Sequence, residues 1–197
     1  MPRLDRQQIV RFLRALDAAL VGNVEVVVVG GLAAIVQYDA AVKTSDMDVY
    51  AVVSGRSADL TRAARVAADV TGVMLAIGNA PVTDLPWNYE DRLKRVRGLR
   101  LKRLTMIVPD KYDLALSKMV RGYEHDLEAI ASMHKSHRLS EKTLVTRFED
   151  EIWKTAMGDP RNFALNMIHL LRLLYGARRA AVYRERWGID KPRQGRS

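Results

Sequence analysis

The fold is decided by Val24-Glu25-Val26-Val27-Val28-Val29-Gly30-Gly31, which Thr44-Ser45-Asp46-Met47-Asp48-Val49 follows along the chain. The first stretch is a run of β-branched residues, which is typical of a buried strand. The two glycines end this strand, and the residues from Leu32 to Gln37 predict the start of a helix. Met47 to Val53 predicts a second strand, with Asp46 directly before it.

The segments on either side of this stretch predict a head that mixes helices and strands. Asp5-x-x-Gln8 resembles a capping box, and the apolar residues behind it recur at helical spacing as far as Gly22. Beyond the second strand the pattern predicts one helix and two further strands, over 57–70, 73–77 and 99–108.

From Pro109 onward the sequence predicts helices only. Their apolar stripes and caps give the ranges 111–134 with a kink near Gly122, 141–156 and 160–176. Tyr123 is predicted to lie in the apolar stripe of the first of these helices. The order of elements predicts an α/β (α+β) fold. It divides into a mixed-sheet head over 1–109, a helical C-terminal region over 110–176 and a basic, flexible tail over 177–197.

The composition excludes several classes of protein and site. The chain has 197 residues and no cysteine, so it forms neither disulfides nor thiolate metal sites. Its four histidines show no metal-binding spacing. We find no signal peptide, and the longest apolar run, Val24 to Val36, is too short to span a bilayer. These features predict a cytoplasmic protein without a membrane partner.

The net charge of +9 is concentrated in two segments. Residues 90–103 and residues 177–197 each hold seven basic and two acidic side chains, a net +5 in each. Localised positive charge indicates a polyanionic partner, although a solvated surface is the alternative. The residues predicted to bind nucleic acid are Arg92, Arg95, Arg97 and Arg100.

The glycine pair and the aspartate pair together predict a metal–nucleotide site. Because glycine has no Cβ, Gly30 and Gly31 let a ligand approach the backbone, and the helix behind them presents free N–H groups to a phosphate. Asp46 and Asp48 lie on one face of their strand, where Mg²⁺ would relieve their repulsion. Thr44 and Ser45 add hydroxyl groups beside the phosphates. The alternative is that each pair reflects only turn formation.

These motifs resemble the polymerase-β-like nucleotidyltransferases, and more closely the small bacterial branch with AbiEii-like and MenT-like toxins. The resemblance also includes a later helical pattern and a shorter segment, here Asp113-Leu114, Lys118, Arg121 and Asp126, and Tyr89 to Leu93. It implies transfer of a nucleotidyl group from a nucleotide triphosphate to RNA, with tRNA first, or to a protein.

The resemblance also implies roles for individual residues and partners. The metal, Mg²⁺ or Mn²⁺, would be held by Asp46 and Asp48, and the triphosphate by Gly30, Gly31 and Lys118. Lys118 and Asp126 would join the two aspartates as catalytic residues. A toxin of this type would also have an antitoxin protein as a partner.

The sequence departs from the family pattern at two places. The spacer of fourteen residues between Gly31 and Asp46 is slightly long, and the strand over 99–108 lacks the third carboxylate of the superfamily. Asp84 and Asp126 are the candidate substitutes. Two alternatives therefore stay open: a catalytically weak module that binds nucleic acid or a partner protein, and a structural domain.

Overall fold

The computed structural model describes residues 3–80 and 84–190 and contains one five-stranded mixed sheet. Its strands are β1 (Val24–Val29), β2 (Asp46–Ser54), β3 (Ala76–Asn79), β4 (Lys94–Arg95) and β5 (Leu104–Val108). The spatial order is β3-β2-β1-β5-β4. β1 runs antiparallel to β2 and parallel to β5, while β3 is parallel to β2 and β4 antiparallel to β5. The predicted mixed α/β fold is confirmed.

Eight α-helices accompany the sheet within the described ranges. They are α1 (Arg6–Ala19), α2 (Gly30–Tyr38), α3 (Ser57–Thr71), α4 (Lys111–Arg121), α5 (Glu124–His137), α6 (Glu141–Arg147), α7 (Pro160–Tyr175) and α8 (Ala177–Arg186). A 3₁₀ turn spans Glu90–Arg92, and a π-helical turn spans Phe148–Ile152. None of the helices in this part of the chain is long and apolar enough to cross a membrane.

The buried apolar residues form two clusters. The first joins one face of the sheet to α1, α2 and α3, and includes Leu114 of α4 and Met133 of α5. The second is built from α4 to α8 and the π-helical turn. Met47 and Val49 of β2 belong to the first cluster. Because side chains alternate along a strand, Asp46 and Asp48 lie on the opposite face of the sheet.

The structure corrects the prediction of one kinked helix over 111–134. The chain forms two helices, α4 and α5, because Gly122 adopts φ 67° and ends α4 with a left-handed residue. A Cβ at Gly122 would lie 2.3 Å from the Asn166 side chain, so a larger residue would have to displace that side chain as well as adopt the left-handed backbone. Tyr123, predicted to be in the core, is 62% exposed, and its ring stacks on His125.

The prediction of a flexible tail over 177–197 is wrong for residues 177–190. α8 forms there and packs against α7, with Ala180 and Ile189 buried. Its end is fixed by Trp187, whose Nε1 donates a hydrogen bond to Glu149 at 2.8 Å. The remainder of the predicted tail, 191–197, lies outside the described residues.

Three element boundaries also differ from the predictions. The strand predicted over 73–77 lies at 76–79, and the strand over 99–108 is confined to 104–108, with β4 before it. The helix predicted over 141–156 ends at Arg147 and continues as the π-helical turn. In each case the sequence indicated the strand or helix but not the residue at which it begins or ends.

Candidate active site

Gly30 and Gly31 let the end of β1 approach the start of β2. Gly30 has φ 72°, and a Cβ there would lie 2.2 Å from Oδ2 of Asp48. A Cβ at Gly31 would lie 2.8 Å from Oγ1 of Thr44. The two glycines therefore bring the first turn of α2, whose cap makes no side-chain hydrogen bond, against the aspartate segment.

Asp46 and Asp48 converge at this junction. Asp48 pairs with Val29 across the antiparallel β1–β2 ladder, which sets its carboxylate beside Gly30. Ser45 Oγ donates a hydrogen bond to Oδ2 of Asp46 at 2.7 Å. Burial and the negative charge of Asp46 raise the pKa of Asp48, while the charges of Arg121 and Lys118 act to lower it. The site is a paired carboxylate that a bound cation would stabilise.

The donor set fits Mg²⁺. In the described part of the chain, no group of three or more His, Cys, Asp or Glu side chains is placed to hold a metal. Mg²⁺ is commonly bound by one or two carboxylates together with water and substrate phosphates, rather than by an all-protein cage. Asp46 and Asp48 supply the carboxylates, and the α2 N-terminus beside them is suited to phosphate.

Lys118 and Asp126, both predicted site residues, face the aspartates from α4 and α5 as a buried ion pair. Lys118 Nζ donates to Oδ1 of Asp126 at 2.8 Å, and Arg121 donates to both oxygens at 2.8 and 3.1 Å. The Asp126 side chain is fully buried, and that of Lys118 is 4% exposed. Burial lowers the pKa of Lys118, and the charge of Asp126 opposes that shift.

The ion pairs of Asp126 decide whether it can replace the third carboxylate that the strand over 99–108 lacks. Both oxygens of Asp126 already accept hydrogen bonds from cations, so Asp126 positions Lys118 and Arg121 rather than extending the Asp46–Asp48 pair. Asp84, the other candidate, is not among the residues that line the cleft.

The site is a cleft of about 300 Å³ between the head and the α4–α5 pair. Its walls include predicted residues, namely Gly31, Thr44, Ser45, Asp46, Asp48, Lys118 and Asp126. They also include residues that the sequence analysis did not place in the site: Arg3, Val42, Lys43, Arg121, His125, Glu128 and Ala129. The sequence indicated Arg121 and His125, because a single helix over 111–134 would place both on one stripe with Lys118. The structure instead brings Arg121 to the cleft from α4 and His125 from α5. Arg3 gave no local signal.

The predicted nucleic-acid residues separate into two groups. Arg95, Arg97 and Arg100 are exposed along the β4–β5 hairpin, which runs over 94–108. Arg92 is a correction: its guanidinium lies inward and binds Asp113 at 2.9 and 3.0 Å and Glu151 at 2.7 Å. Burial opposes the charge on Arg92, but hydrogen bonds to these two carboxylates raise its pKa. Arg92 therefore joins the head to the helical half.

Comparison with known proteins gives a family for this site. Residues 8–168 match the model of a family described as nucleotidyltransferases of unknown function (DUF6036). Comparisons with curated proteins and with solved structures gave no match. The matched region contains the glycine pair, the aspartate pair, Lys118 and Asp126, and it covers most of the chain. The chain therefore belongs to this nucleotidyltransferase family and is an enzyme that transfers phosphorus-containing groups.

Proposed function

We propose that this nucleotidyltransferase is Mg²⁺-dependent and transfers a nucleotidyl group from a nucleotide triphosphate to RNA, with tRNA as the expected acceptor. The observation that carries the proposal is the junction of Asp46 and Asp48 with Gly30 at the start of α2. It combines a carboxylate pair for a hard cation with free backbone N–H groups for phosphates.

The reaction joins an acceptor hydroxyl to the α-phosphorus of the nucleotide. A new oxygen–phosphorus bond forms, the bond from the α-phosphorus to the bridging oxygen breaks, pyrophosphate leaves with the electron pair, and the hydroxyl proton passes to water. Mg²⁺ held by Asp46 and Asp48 would neutralise phosphate charge and align the reacting groups.

The protein residues bind and orient the substrates. Asp46 and Asp48 fix the metal, the first turn of α2 receives phosphate oxygens, and Lys118 supplies positive charge from the opposite wall. The Asp126 carboxylate holds Lys118 and Arg121 in place before substrate arrives. Such positioning is the main protein contribution to phosphoryl transfer, because the transition state mainly requires alignment and charge stabilisation.

The β4–β5 hairpin supports RNA as the acceptor. Six of its residues are exposed and basic: Lys94, Arg95, Arg97, Arg100, Lys102 and Arg103. None of the six forms an ion pair with an acidic side chain in the described ranges. β4 lies three strands from β2, which at the usual strand spacing is about 15 Å from the aspartates. Lys94 and Arg95 lie toward the Gly30 end of β1, whereas the other four precede Leu104, which pairs with Val24 at the far end of β1. An extended polyanion such as RNA could contact both groups and the cleft.

A toxin role is part of the same proposal. It rests on the resemblance to the small bacterial AbiEii-like and MenT-like branch, and it brings with it a cytoplasmic location and an antitoxin partner. The alternative function is a catalytically weak module that binds nucleic acid or a partner protein. The observation in its favour is that no third carboxylate in the described residues joins Asp46 and Asp48 in a group that could hold a metal.

The test is label transfer from each α-labelled nucleotide triphosphate, with Mg²⁺, total tRNA and cell lysate. We compare wild type with Asp46→Asn/Asp48→Asn and with Asp69→Asn, an exposed carboxylate on α3. Label on RNA that only the cleft variant loses supports the proposal and identifies the base. Label on a protein band changes the acceptor. Absence of label with folded wild type that still binds RNA favours the binding module.

A further inference from the structure

The N-terminal segment contributes a cation to the cleft through an isolated β-bridge. Leu4 N donates to Thr44 O at 2.7 Å, and Thr44 N donates to Leu4 O at 3.1 Å. This antiparallel bridge sets Arg3 beside Ser45, directly before the aspartate pair. Lys43 lies on the other side of Thr44. Arg3 and Lys43 both line the cleft and are exposed to solvent.

These two cations differ from Lys118 and Arg121 in having no partner among the residues that the structure describes. Lys118 and Arg121 are held by Asp126. Within the described residues, neither Arg3 nor Lys43 has a side-chain hydrogen bond or an ion pair. Once a divalent cation balances Asp46 and Asp48, the two side chains leave positive charge at the cleft wall. That charge suits an anion bound in the cleft.

We propose that Arg3 and Lys43 form a phosphate subsite for the β- and γ-phosphates of the nucleotide and for the departing pyrophosphate, an inference that rests on the proposed function. The Arg3 guanidinium suits two phosphate oxygens at once, and Lys43 acts as a point charge. When the α-phosphorus bond breaks, the bridging oxygen keeps the electron pair. The two cations then stabilise the charge gained by pyrophosphate.

The subsite also assigns a role to the β-bridge. It fixes the backbone of Leu4 and Thr44, the residues that directly follow Arg3 and Lys43, so that the two side chains approach the phosphates from a restrained position. Preorganisation of this kind lowers the entropy cost of binding long, flexible cations to a ligand. Substituting either side chain leaves both backbone hydrogen bonds of the bridge in place, so the subsite can be tested without removing the bridge.

The experiment is equilibrium binding of three probes in Mg²⁺ without RNA: inorganic pyrophosphate, a non-hydrolysable nucleotide triphosphate and a nucleoside monophosphate. The variants are Arg3→Ala, Lys43→Ala and their double, with Arg14→Ala on the exposed side of α1 as the matched control. We expect the double variant to weaken pyrophosphate and triphosphate binding about tenfold or more, and monophosphate binding by less than about twofold. Thermal unfolding confirms that each variant is folded.

Each other outcome overturns the inference in a distinct way. Unchanged pyrophosphate and triphosphate affinity in the double variant rejects the subsite while leaving the proposed function intact. Equal losses for all three probes mean that the cations attract any bound phosphate by charge alone, without a subsite for the β- and γ-phosphates. Losses for the triphosphate and the monophosphate but not for pyrophosphate place the cations at the nucleoside or the α-phosphate. In a parallel titration with tRNA in place of the probes, a defect of the double variant that is seen only there assigns the cations to acceptor phosphates. Wild type that binds neither pyrophosphate nor triphosphate rejects the subsite and the proposed function together.

Discussion

At Gly30 the backbone has φ 72°, and the space for a Cβ is filled by the carboxylate of Asp48. Gly30→Ala therefore adds left-handed strain, about 1–2 kcal/mol, and also displaces a proposed metal ligand. Gly72→Ala is the matched control, because Gly72 has φ 64° with nothing within 4 Å of its Cβ position. We expect both variants to lose stability in denaturant titrations, but only Gly30→Ala to lose nucleotidyl transfer. Full activity in Gly30→Ala would contradict the site geometry.

Asp126 is buried between two cations, so its charge is needed for stability as well as for positioning. Asp126→Asn leaves Lys118 and Arg121 without a counter-charge, and breaking a buried pair in this way typically costs about 3–5 kcal/mol. Asp59→Asn is the control, since Asp59 pairs with exposed arginines and surface pairs contribute about 0–1 kcal/mol. The measurement is the free energy of unfolding from urea titration. Equal losses in the two variants would show that the buried pair is not maintained in solution.

At the scale of elements, α1 is tied to β5 by one carboxylate. Asp17, 7% exposed, accepts hydrogen bonds from the backbone N–H groups of Lys102, Arg103 and Leu104 at 2.7 to 3.0 Å. Burial acts to raise the pKa of Asp17, but these backbone hydrogen bonds bring it below 3.8. The folded state therefore favours the ionised carboxylate.

This shift predicts a pH dependence of stability. The unfolded state holds the proton more tightly, so the contribution of Asp17 is complete above about pH 4 and is lost as the pH falls through the lower folded pKa. Asp17→Asn should cost about 1–3 kcal/mol at pH 7, because one amide oxygen replaces two carboxylate oxygens. The measurement is the free energy of unfolding from pH 2 to 7. A difference between wild type and variant that does not shrink toward pH 2 would exclude the linkage.

The elements also show which parts of the fold a sequence can predict. β1 was predicted with its observed bounds because its β-branched run and the following Gly30 act locally. α8 was missed because only Ala180 of its residues is buried, which is too narrow an apolar stripe to give a helical pattern. Its packing instead uses the Trp187 ring against Phe148 and Trp153, contacts that connect distant parts of the chain.

At the scale of the whole molecule, some residues of the site could also be predicted from local sequence, while others depend on contacts between distant parts of the chain. Gly30, Gly31, Asp46 and Asp48 could be predicted because their chemistry is encoded within one local stretch, and the structure brings them together. Arg3 could not, because a single β-bridge brings it to the cleft. Arg92 was predicted to bind nucleic acid because it belongs to the basic segment over 90–103. It turns inward because Asp113 and Glu151, from the helical half, supply its partners.

The last prediction concerns the net charge of +9. This charge could attract RNA either through the overall field of the molecule or through contacts at one surface. Each phosphate neutralised by a basic side chain releases counterions, so the slope of log K against log salt reports the number of contacts. Replacing Arg95, Arg97 and Arg100 with glutamine should reduce the slope for tRNA by about two to three units. The control replaces Arg14, Arg62 and Arg65 with glutamine. It removes the same charge from α1 and α3, which cover one face of the sheet. We expect that control to leave the slope nearly unchanged. Equal slopes for the two triple variants would mean that RNA responds only to net charge, and the hairpin would no longer support an RNA acceptor.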